Sequence, residues 1–287
     1  MERIIRSLSP AALLVAGAVV FALGAAFVLA SDATLSASSN GASSDLAQAG
    51  RWFQFIAVAC LLGAVCTAGW EATMRSVWVH AAEIAVAAVG TLLLTIGQAA
   101  VAANAGSAAA PVCGAVGIGV WALLVLSRAA RAALSEQGTA QGGGNRQADL
   151  WLAAAIGLFV MAIGYGFTAA GSSGPRVAAG LLEAVGVAVL AGAVVAARSR
   201  GMLGSRPVPF VLIGLALLAL SFLASGIVAG LDFGTLGALS ASLTIVDAVG
   251  LAAIVLLGFA AWTQVRALYP ATRTGAPSPT AGQPTAP

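Results

Sequence analysis

The chain has 287 residues, of which 60% are apolar and 8% charged, and its mean hydropathy is +0.99. Such a composition excludes a water-facing globular surface and with it the one- or two-domain soluble reading that this length would otherwise allow. The net charge of +3 comes from thirteen basic residues, all Arg; scattered over short loops, it makes no basic stripe, and no nucleic-acid partner is expected.

Eight apolar segments, 10–30, 52–70, 77–103, 108–127, 150–170, 177–197, 208–231 and 242–263, fill most of the chain. A helix rising ~1.5 Å per residue needs about 20 apolar residues to cross a ~30 Å hydrocarbon core. The predicted class is therefore an all-α integral membrane protein of about eight transmembrane helices, with the lipid bilayer as its first partner.

The first segment follows Arg3 and Arg6 and ends at Leu29-Ala30-Ser31, the outline of a secretory signal. Its apolar stretch exceeds the ~7–15 residues of a signal core, so a retained helix is expected. Residues 31–50 are rich in Ser and Ala and read as a plain outer loop. Cys60 and Cys66 in the second segment are ~240° apart on a helix. With Cys113 in the fourth, they read as small buried hydrophobes rather than redox or metal groups.

The third segment carries His80, Glu83 and Gln98. His80 and Glu83 share a helix face at i, i+3 and can reach each other or a common third group. Trp121 lies mid-segment in the fourth, where packing explains it. Residues 128–149, with Gly142-Gly143-Gly144, read as a flexible cytoplasmic linker between a first half, 1–127, and a second, 150–269. The sixth segment contains Glu183 and the eighth Asp247. In the seventh, Gly226-x3-Gly230-x3-Gly234 offers small residues for close helix approach, read as internal packing in preference to a dimer face. The Pro-rich tail, 270–287, is expected to be a disordered cytoplasmic extension.

Orientation follows from the arginines. With the N-terminus inside, eleven lie on the cytoplasmic side and only Arg51 and Arg176 outside, the bias expected of a chain with both termini cytoplasmic. Trp70, Trp78, Trp151 and Trp262 near inner helix ends and Trp52 near an outer one fit interfacial anchors. The absence of Lys resembles the coding bias of a high-GC bacterium, which places the chain in a bacterial inner membrane.

The four-plus-four division raises a parallel duplication. Ala115-Val116-Gly117 aligns with Ala248-Val249-Gly250 and Leu123-Leu124 with Leu256-Leu257. Arg51 and Arg176 stand at matching outer starts. Chance matches in so Ala- and Gly-rich a sequence are the competing explanation.

Function, where it is legible, rests on polar groups inside apolar runs. A charged side chain at a helix centre costs ~2.5–3.5 kcal/mol on the insertion scale, so Glu83, Glu183 and Asp247 must face protein or water, or stay protonated. Glu183, Asp247 and Gln98 fall in one outer layer with Tyr165, Thr168, Ser225 and Thr244. Glu83 and His80 lie toward the inner side. Two readings are open: a proton or cation route through these groups, or acids that only fix helix packing.

One His cannot supply bis-His haem ligation, and H-E-x-x-H, G-x-x-x-x-G-K and G-x-S-x-G are all absent from the sequence. No cofactor is expected and no enzyme activity is supported. The expectation is a small carrier or channel, proton-coupled in one version, for a small solute or a proton, with its site around Glu183 and Asp247. The alternatives are a non-catalytic subunit or assembly factor held by membrane-protein partners or by copies of itself, and an intramembrane enzyme acting on lipid.

Overall fold

In the computed structural model, residues 10–35, 42–74, 78–103, 108–137, 146–170, 172–201 and 207–268 are described. At 10–11, 42–43, 68–74, 78–81, 135–137, 146 and 264–268 the description covers the backbone alone. The described residues form α1 (Pro10–Thr34), α2 (Ala42–Met74), α3 (Trp78–Ala102), α4 (Ala109–Gln137), α5 (Arg146–Phe167), a 3₁₀ turn (Thr168–Ala170), α6 (Ser173–Ser199), α7 (Val208–Gly230) and α8 (Leu236–Leu268). Each α-helix, α5 together with the 3₁₀ turn that continues it, supplies a span of 21–28 residues long and apolar enough to cross a membrane.

Several helices outrun their apolar segments. α2 begins inside the expected loop 31–50, with Asp45 in its first turn, where a negative charge favours the helix N-terminus. α4 continues through Ala129, Ala130, Ala132 and Ala133, strong helix formers, to Gln137. Of the expected linker 128–149, residues 128–137 are thus helical in α4 and 146–149 in α5, while 138–145 lie outside the described residues, as does the tail from 269 onward. Polarity ends the membrane-compatible stretch but not the helix.

Each helix packs against its neighbours in sequence, and α8 returns against α1. Among the described residues no other pair of α-helices brings its backbones together. Eight helices therefore close into a ring of four antiparallel hairpins. The end at which α1, α3, α5 and α7 finish, the outer end, is the one that the arginine bias assigns to the outside.

The four hairpins share one register. In α1–α2, a β-carbon placed on Gly17 would lie 3.1 Å from the Ala57 carbonyl oxygen, and one on Gly24 2.8 Å from that of Gly50. In α3–α4 the pairs are Gly90 with Gly117 (3.1 Å) and Gly97 with Ala110 (2.9 Å). In α5–α6 they are Gly157 with Gly186 (2.8 Å) and Gly164 with Ala179 (3.0 Å). In α7–α8, Gly214 meets Ala253 (3.3 Å) and the Ser221 hydroxyl donates to the Val246 carbonyl at 3.2 Å.

Both contacts recur at seven-residue spacing on both helices of every hairpin, about two turns on one face. Small residues there let backbones meet where no hydrophobic force draws helices together in lipid. In this register Gly117 corresponds to Ala253, so the Ala115–Gly117 and Ala248–Gly250 match is three residues out of structural step. Arg51 and Arg176 likewise differ by about one turn. Gly226 and Gly230 pack inside the ring wall, against Gly180 and Val177 of α6. Trp121 packs on Gly90.

Candidate functional site

On α6, Ala179 and Gly186 touch α5, while Gly180 touches the Phe222 carbonyl and Gly226 of α7. At ~100° per residue, Arg176, Glu183 and Val187 fall between those two contact lines, on the side opposite the exposed Leu181 and Val185. They face the interior of the ring. A cavity of about 360 Å³ opens there at the outer end. Its polar lining is Thr168 from the 3₁₀ turn, Arg176 and Glu183 from α6, and Ser225 from α7, with Leu239 and Leu243 of α8 opposite.

Glu183 is 8% exposed. Its Cγ lies 3.0 Å from where a β-carbon of Gly164 would stand, so the missing side chain there makes its room. Tyr165 is close enough for the two groups to interact electrostatically; its ring occupies the notch left by Gly114 on α4. Among the described residues no group hydrogen-bonds the Glu183 carboxyl. One turn further in, Val187 is fully buried and is not part of the cavity lining. The result is a pocket at the outer end with an arginine at its mouth, two hydroxyls on its walls and a carboxyl as its deepest lining group on α6.

Asp247 does not line this cavity. It lies on α8 with its carboxyl in hydrogen-bonding reach of Asp32 on α1. The backbone carbonyl of Asp32 accepts from the Ser240 hydroxyl. Sequence reasoning missed Asp32 because the first apolar segment ends at Ala30, whereas the helix runs on to Thr34. Two carboxyl groups form a hydrogen bond only when one of them carries a proton.

Glu83 is the acid matched by charge. Arg128 donates to it at 2.9 Å and Arg131 pairs with its other oxygen. Arg128 also lies over the Trp151 ring, 5.7 Å from the centroid. Both arginines come from the part of α4 that sequence reading assigned to the linker. The side chain of His80 lies outside the described residues. Gln98 is half-buried on α3 and does not line the Glu183 cavity. Thr244 bonds back to the Ser240 carbonyl of its own helix at 2.7 Å. Cys60, Cys66 and Cys113 are free thiols. Among the described residues no group of three His, Cys, Asp or Glu could hold a metal ion.

The predicted outer layer thus separates into a cavity site, Glu183 with Thr168, Ser225 and Arg176, and an interhelical pair, Asp247 with Asp32. Arg176 had a signal in the sequence, seven residues before Glu183 on one helix face, but it reads there as a loop charge. Comparison with protein-family models, with curated proteins and with solved structures finds no match.

Proposed function

We propose that this chain is a multi-pass carrier of a bacterial inner membrane, both termini cytoplasmic, that takes a small polar solute from the outer side into the cavity floored by Glu183. The observation that carries the reading is that cavity: polar groups converge in it, and its lining on α6 reaches no deeper than Glu183. A buried acid without a protein partner costs free energy unless a ligand or water completes it. A cavity whose lining on α6 goes no deeper than Glu183 fits a carrier that binds before it opens inward better than an open channel. In the same reading, the Asp32–Asp247 pair holds the proton that is coupled to transport.

The test is electrical: purified protein in proteoliposomes on a solid-supported membrane, challenged with jumps of amino acids, amines and organic acids. A saturable current that vanishes in Glu183→Gln is expected. Currents equal in wild type and variant, or none for any compound, would overturn the carrier. Orientation is checked in a Cys-free background, where an impermeant maleimide should label Ser173→Cys in intact cells and Ser199→Cys only after permeabilisation.

A second reading, a non-catalytic subunit, is favoured by the apolar groove between α1 and α8, where Val19, Leu23, Val255, Phe259 and Trp262 are exposed. Native mass spectrometry separates the two. A stable complex with other subunits would move the chemistry to the partner, whereas a monomer or homo-oligomer leaves it here.

A further inference from the structure

Arg176 and Glu183 stand seven residues apart on one interior face of α6, about 10 Å along the helix axis. Both side chains lean toward the N-terminal, outer end, so the offset between their charged ends stays near that value. Both line the one cavity. Among the described residues Arg176 pairs with no carboxylate, and Glu183, 8% exposed, has no hydrogen-bond partner. The site therefore presents an unmatched cation at the mouth and an unmatched acid at the floor.

A purely anionic ligand would bring a negative charge to Glu183. A purely cationic one would pass Arg176 and leave it unanswered. A ligand with both charges answers both. Taking away a hydrogen-bond length of ~3 Å at each end leaves ~4–5 Å between the ligand's own charges. That span matches an ammonium and an anionic group a few bonds apart, as in an ω-amino acid or phosphoethanolamine, and exceeds that in glycine. Thr168 and Ser225 offer hydroxyls to the middle of such a molecule.

We infer that the Arg176–Glu183 cavity binds a small zwitterion, its ammonium group down at Glu183 and its anionic group up at Arg176. The inference rests on the carrier reading for what the site is used for, but not for what it binds. The ligand's source is either a free solute or the headgroup of a phosphatidylethanolamine lipid, since the two present the same chemistry.

The test is binding to the full-length protein in phosphatidylcholine nanodiscs, by calorimetry, with glycine, γ-aminobutyrate, phosphoethanolamine, butylamine and butyrate as probes. γ-Aminobutyrate or phosphoethanolamine should bind more tightly than glycine, and the two singly charged probes least. Arg176→Gln and Glu183→Gln should each weaken binding about 10–100-fold, the worth of one hydrogen bond to a charged group. Arg176→Lys should restore part of the loss, which shows that the site is folded.

Butylamine bound as well as γ-aminobutyrate and unaffected by Arg176→Gln would overturn the zwitterion and leave the carrier standing. Binding of a zwitterion with no current in proteoliposomes would keep the ligand and sink the carrier. Competition by phosphatidylethanolamine added to the nanodiscs would assign the site to the lipid headgroup. No binding of any probe would end the inference.

Discussion

Asp32 on α1 and Asp247 on α8 bring two carboxyl groups into hydrogen-bonding reach across the contact that closes the ring. All other α-helix contacts among the described residues join helices linked by a short connection; this one is made by the two helices furthest apart in sequence. Beside the Ser240 hydroxyl bond to the Asp32 carbonyl, it holds a carboxyl pair whose hydrogen bond requires one proton. Asp247→Asn supplies an amide donor and should leave thermal stability in detergent within about 1 kcal/mol of wild type. Asp247→Ala leaves Asp32 without its partner and should cost about 1–3 kcal/mol. Equal melting temperatures for the two variants would show that the pair contributes nothing to closure.

Glycine contacts in the ring wall can be tested against an internal control. A β-carbon on Gly180 would lie 2.6 Å from the Phe222 carbonyl oxygen, while one on Gly192 would meet nothing within 4 Å. Gly180→Ala must push α7 away and is expected to destabilise by about 1–3 kcal/mol. Gly192→Ala should be neutral or stabilise by up to ~1 kcal/mol through helix propensity. Melting of the two purified variants side by side is the measurement, and a similar cost for both would remove the close α6–α7 approach.

Tyr165 fills the space that Gly114 leaves open, so Gly114→Ala would drive a methyl into its ring. A loss of about 1–3 kcal/mol is expected. Adding Tyr165→Ala should return part of that loss, with a coupling of about 0.5–3 kcal/mol in a double-mutant cycle. Strict additivity would mean that the two residues do not touch. Because Tyr165 lies beside Glu183, Gly114→Ala should also weaken ligand binding without changing any cavity-lining residue.

Glu83 and Glu183 should behave differently although both are acids inside apolar runs. The arginines that neutralise Glu83 are 45% and 44% exposed, and partly solvated pairs of this kind are worth about 0–1 kcal/mol. Glu83→Gln should therefore cost no more than that and leave transport currents unchanged. Glu183→Gln should abolish them at little cost in stability. A current lost in Glu83→Gln would return this residue to the transport path.

Hydropathy along the chain determined the eight membrane-length helices found among the described residues and roughly where each lies, because lipid compatibility is a local property of about 20 consecutive residues. The sequence also marked Glu183 and Asp247, since a carboxylate within an apolar run stands out wherever the helix packs. It did not separate their environments. Helices apolar on all sides carry no stripe that names the inward face, and abundant Gly and Ala permit many registers. The heptad of small contacts shared by four hairpins, the return of α8 to α1 and the pairing of Asp247 with Asp32 were decided by tertiary packing. So was the fate of two charges read as loop residues. Helix α4, running past its apolar segment, delivers Arg128 to Glu83, and α6, starting before its own, delivers Arg176 to the mouth of the cavity. Helix ends follow backbone propensity while span limits follow solvation, and Arg128 and Arg176 lie in the turns between the two.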